Sequence, residues 1–190
     1  GTLSFSTAGN LGDSASVNNT LGLNGGALSY TGSGAMALGV NRVMTLGASG
    51  GTLETTSTTG VLTVTGGINA SSSGNLIKTG PGTLVLPGTN SWGGGANSVT
   101  VTDGTLRAGF GTNGIANVTV AATGNLDMRN NLTEALTLTG AISLANGSRL
   151  GFELGSVGDQ VNSTAAALAT GTITLDFFNL AGFAPGTYNL

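Results

Sequence analysis

The chain has 190 residues, 35 of them glycine, with 39% hydrophobic residues, 7% charged residues, no cysteine, no histidine and a net charge of −3. Ordinary disorder combines low hydrophobicity with high charge, and collagen requires glycine at every third position; neither describes this chain. Its five basic residues, Arg42, Lys78, Arg107, Arg129 and Arg149, are scattered rather than gathered into the basic patch of a nucleic-acid surface, and no run of about 18 apolar residues offers a membrane-spanning helix.

The chain opens in a strand-like unit at Gly1-Thr2-Leu3, without the pattern of a signal peptide, and stops in another at Pro185-Gly186-Thr187-Tyr188-Asn189-Leu190. Residues 1–190 therefore read as a single repeat segment of a longer protein. Alternating apolar strands are expected near Leu28, Met44, Val64, Val85, Val101, Thr119, Leu138, Phe152 and Thr174. The interval between them is about 20 residues, the period of a solenoid repeat. Glycines and asparagines between the strands supply the corners, because they accept left-handed backbone angles at little cost. The clearest unit is 74–92, where the turn Thr79-Gly80-Pro81-Gly82 opens the strand Thr83-Leu84-Val85-Leu86 and Pro87-Gly88-Thr89-Asn90 closes it.

Thr-x-Thr strands begin at Thr63, Thr100, Thr137 and Thr172. Their spacing suggests two coils per step, with Val64, Val101, Leu138 and Ile173 inward and the threonines in an outward ladder. Helix is poorly supported. Ser163–Ala169 has the propensity, but at about two turns it reads as a loop or a wide corner.

Chemistry is sparsely supplied. Without histidine and cysteine there are no thiol nucleophiles, no imidazole proton transfer and no His/Cys metal sets. Eight acids remain, at Asp13, Glu54, Asp103, Asp127, Glu134, Glu153, Asp159 and Asp176, with no calcium-loop spacing. Glycoside hydrolysis needs two carboxylates across one cleft. The nearest charged candidates are Asp103 with Arg107 and Asp127 with Arg129, which read as a turn aspartate and as surface pairs. No catalytic residue, cofactor or metal is expected.

Residues 74–108 resemble the passenger-associated transport repeat, also called the autotransporter-associated β-strand repeat. The resemblance is carried by Leu76, Lys78, Gly80, Gly82, Thr83, Leu84, Leu86, Gly88, Asn90, Trp92, Gly93, Gly94, Val99, Val101, Gly104, Thr105 and Leu106. Residues 41–55 look like the coil that precedes such a unit, and 159–190 like a segment that closes such regions. The resemblance implies an all-β, right-handed parallel β-helix on a secreted or surface protein of a bacterium with an outer membrane. A membrane barrel exports such passengers in autotransporters, and none is legible in these residues.

These readings converge on a non-enzymatic extracellular module: an adhesin shaft, stalk or filament subunit. The alternative is a carbohydrate-active β-helix enzyme or polysaccharide-binding domain. Expected partners are the chain itself stacked end to end, neighbouring repeat modules, or surface glycans. Phe177, Phe178, Phe183 and Tyr188 are candidates for capping the column or docking the next unit. Trp92 is a candidate sugar platform, against the plainer reading of an aromatic that covers a corner.

Overall fold

The computed structural model describes residues 1–13, 15, 19–69, 71, 73–87, 90, 97–108 and 115–190. In chain order, β1 (Thr2–Phe5) leads through a 3-10 turn at Ala8–Leu11 to β2 (Leu21–Leu23), β3 (Gly26–Tyr30), β4 (Ala35–Leu38), β5 (Met44–Leu46), β6 (Gly51–Thr55) and β7 (Val61–Val64). The middle contains β8 (Leu76–Thr79), β9 (Thr83–Leu86), β10 (Val99–Ala108) and β11 (Val118–Asp127). The last part adds β12 (Ala135–Leu138), β13 (Ile142–Leu144), β14 (Arg149–Leu154), β15 (Gln160–Ser163), β16 (Leu168–Ala169) and β17 (Thr174–Asn179).

These strands pair in parallel and form three faces of a coil. The first face runs β1-β3-β6-β8-β10-β11-β13-β16. The second runs β4-β7-β9-β10-β11-β14-β17. The third consists of β2-β5, a bridge from Met44 to Ile68, a bridge from Ile115 to Leu138, and β12-β15. β10 and β11 turn the corner between the first two faces without a break, with a register shift between Val101 and Asp103. The one antiparallel contact among the described residues is the bridge from Leu154 to Gly158. The chain is an all-β parallel solenoid.

Register gives the coil length directly. Val99 lies opposite Val118 across a short coil, and Ala35 lies opposite Val61 across a longer one. A coil therefore takes roughly 20–25 residues, within the range of solenoid repeats. The period expected from the sequence is that of the shorter coils.

Period-2 alternation turns every second side chain inward. On the second face this builds one continuous file: Met36, Leu62, Leu84, Leu106, Leu126, Leu150 and Leu175 are successive register partners. Leu62 through Leu150 in this file are buried, each contributing about 1.5–3 kcal/mol of transfer free energy. Leu28 and Leu53 on the first face, and Met44, Ile68, Ile115 and Leu138 on the third, complete the same core.

Asparagines link the coils at their corners. The side-chain oxygens of Asn24, Asn75 and Asn117 accept the amides of Ser49 at 2.9 Å, Ser98 at 2.8 Å and Ala141 at 2.9 Å in the following coil. Between the first and second faces, Gly80 and Gly104 adopt φ of 75° and 66°, the left-handed angles a corner requires.

Two stretches test the finer expectations. Thr63, Thr100 and Thr137 sit in β7, β10 and β12, which belong to the second, first and third faces respectively. Each step is five faces of a three-faced coil, about one and two-thirds coils rather than two, so the threonines form no single outward ladder. Their neighbours Val64, Val101 and Leu138 do point inward. The Ser163–Ala169 stretch behaves as expected, ending β15, bending, and starting β16.

Candidate functional site

Several charged side chains are tied into the coil, and three groups stand out. The first is Lys78. In β8 the alternation Leu76-Ile77-Lys78 puts Lys78 on the inward side, in register with Leu53 and Val101, and it is fully buried. Its Nζ donates to the backbone oxygens of Thr79 at 2.8 Å, Gly80 at 2.6 Å and, one coil on, Asp103 at 3.0 Å. Burial lowers its pKa to about 8, against the pull of Asp103 and Glu54. The ammonium therefore joins two coils at the corner that the glycines open. Sequence alternation alone marks Lys78 as inward, a signal hidden behind the habit of placing lysine outside.

The second group is built on Asp127, at the end of β11. Its side chain is 1% exposed, which corrects the expectation of a surface pair. Arg107 donates to Oδ2 from Nε at 3.2 Å and Nη2 at 3.0 Å. Arg129 donates from its backbone N at 3.0 Å to Oδ1 and from Nη2 at 2.7 Å to Oδ2. Burial by itself would raise the Asp127 carboxyl; the hydrogen bonds from Arg129 and the charge of Arg107 outweigh it and hold the group below 3.8. Arg129 also lies over the Phe178 ring, 3.9 Å from its centroid. Asp103 is not joined to Arg107 among the described residues. Its Oδ1 accepts the Gly104 amide at 2.9 Å, the turn bond that the sequence suggests.

Beside this lies a third group, which sequence reasoning did not single out. Glu153, 3% exposed, accepts the amides of Asn130 at 2.7 Å and Asn131 at 2.8 Å on Oε2. Asp159, fully buried, accepts the amides of Glu134 at 2.9 Å and Glu153 at 2.6 Å. Burial raises the Asp159 pKa to about 6; those two amides oppose the shift and the charges of Glu153 and Glu134 reinforce it. Asn130, Asn131 and Glu134 stand one coil before these acids in the chain, so only the coil register brings them together.

The four C-terminal aromatics fall into separate contacts. Phe177 continues the inner column of the second face, stacked on Phe152 at 6.2 Å, and is 48% exposed because no strand covers it in the structure. Phe178 points the other way, under Arg129. Phe183 stacks on Tyr188 at 5.8 Å, and the Tyr188 hydroxyl donates to Gly155 O at 3.0 Å. Trp92 lies outside the described residues.

No group of three or more potential metal-ligating side chains occurs among the described residues, and no helix among them is long and apolar enough to cross a membrane. The Lys78 corner, its glycines and β8-β9-β10 coincide with a stretch that a family model recognises. Residues 76–108 match the passenger-associated-transport-repeat family. The match covers the unit that the sequence alone singled out, and a repeat of this family within a parallel solenoid fits a passenger-type surface module. No curated protein and no solved structure matched the chain.

Proposed function

We propose that residues 1–190 are one β-helical stretch of a non-catalytic structural module, the shaft or stalk of a secreted or surface-exposed bacterial protein. The observation that carries this reading is the pairing of a passenger-associated transport repeat with a parallel core that runs through successive coils. The charges support it as well. Lys78, Asp127 and Asp159 are held by backbone groups or by arginines within the coil, which gives rigidity rather than a set of groups poised around a reacting bond. Incubation with a panel of neutral and acidic polysaccharides should leave them intact; measurable cleavage would overturn the non-catalytic reading.

The proposed contact for a second copy is the C-terminal end, where the inward residues Leu175 and Phe177 are 44% and 48% exposed and Phe183 is 41% exposed. Phe178 and Tyr188 hold that end in shape from within. A stacked contact that repeats without closing makes a filament. Small-angle scattering over a concentration series should show particles that lengthen at constant cross-section, and Phe177→Ser should abolish the lengthening. A particle that stays monomeric at every concentration would refute the stacking.

A further inference from the structure

On the outer side of the second face, Arg107, Arg129, Asn130, Asn131 and Glu153 enclose a polar hollow of about 200 Å³. Three features set it apart from an ordinary solvated surface. Both arginines are held still, because each shares the buried carboxylate of Asp127 and Arg129 is also stacked on Phe178. Each uses only its Nε and Nη2 nitrogens for that purpose, so among the described residues the Nη1 end of each guanidinium keeps its donors. Glu153, although 3% exposed, satisfies two amides with Oε2 alone; Oε1 takes no hydrogen bond among the described residues and is not one of the sealed, unpartnered polar atoms of the chain. Finally, Asn131 is the one non-glycine residue with positive φ among the described residues, at 68°. Such backbone conformations persist where the surroundings enforce them.

The lining charges cancel: two guanidiniums face Asp127 and Glu153. A hollow of balanced charge, with fixed donors on one side and a fixed acceptor on the other, suits a ligand that both donates and accepts through adjacent atoms. A carboxylate or phosphate would meet Glu153. We propose that this hollow binds a neutral sugar through a vicinal diol, one hydroxyl donating to Glu153 Oε1 and its neighbour accepting from Arg107 and Arg129. Three charge-assisted hydrogen bonds to one diol give orientation. The small buried area of one monosaccharide keeps affinity in the millimolar range. This inference is independent of the shaft reading, and its failure would leave that reading as it stands.

The test is titration of the whole chain with D-glucose, D-galactose, D-mannose and, as the anionic arm, D-galacturonate, followed by nitrogen-15 NMR. At least one neutral hexose should shift the Arg107 and Arg129 side-chain signals, with a millimolar dissociation constant. Arg107→Lys keeps the charge on Asp127 but loses the fork, and should weaken binding about tenfold. Glu153→Gln keeps an oxygen for the Asn130 and Asn131 amides but puts an amide donor where the diol hydroxyl would donate; it should weaken binding about tenfold, and it decides the matter if Arg107→Lys fails to fold. Absence of shifts with every hexose, shifts with galacturonate alone, or binding that survives both variants would each overturn the assignment.

Discussion

Lys78 and Asp159 are the residues whose protonation the fold disturbs most visibly, and both give a signed dependence on pH. The folded Lys78 amine releases its proton near pH 8 and the unfolded one near 10.5. Between these values the unfolded chain holds more protons, so stability should rise with pH through that window. Urea titrations across it should show the rise in the native chain and not in Lys78→Met. Asp159 behaves oppositely: folded, it titrates near 6, against 3.8 when unfolded. Its contribution is full below pH 3.8 and is lost as pH climbs through 6, and Asp159→Asn should remove that slope. Asp127, held below 3.8, stabilises above that pH and ceases to do so as pH falls through its folded value. Asp127→Asn should cost about 1–3 kcal/mol in denaturant unfolding at neutral pH, because two arginines lose a charged acceptor. Of these residues, the pairing of Asp127 with Arg129 was legible from their i, i+2 spacing, although β11 ends at Asp127 and Arg129 lies just beyond it. Arg107, Glu153 and the Asp159–Glu134 contact were not, since those partners stand a whole coil away and coil length is not constant along the chain.

At the level of strands and corners, the middle of the chain should be the least forgiving. Leu84 is fully buried between Leu62 and Leu106, and Leu84→Ala should destabilise by about 2–5 kcal/mol. Leu3, on the first strand and 58% exposed, should lose under about 0.5 kcal/mol on the same substitution; equal losses would contradict the stacked core. At the family's corner, a methyl group on Gly82 would run into the backbone oxygens of Ser57 and Gly60 from the preceding coil. Gly82→Ala should therefore destabilise although no side-chain contact is lost, and calorimetry would register it. Sequence alternation located these strands well because period 2 is a local property. It could not assign them to faces, and the Thr-x-Thr spacing led astray for that reason: three strands per coil share the same alternation, so a distance of one and two-thirds coils looks like a repeat.

For the whole molecule, strand spacing of about 4.8 Å puts the first and last strands of the eight-stranded first face about 35 Å apart. The two ends differ. At one, the guanidinium of Arg42 donates to Ala8 O at 2.9 Å and Gly12 O at 2.5 Å, fixing the 3-10 turn beside β4; at the other, β17 is bare. Hydrogen exchange should find the slowest amides in β8–β11 and the fastest in β16 and β17. The pairing of every face in parallel also sets how the molecule bears load. The ladders between coils lie along the axis, so tension applied from end to end falls on one ladder at a time. The chain should unspool coil by coil, each release freeing about 25 residues, or about 80–90 Å of contour, at modest force and with no single breaking point.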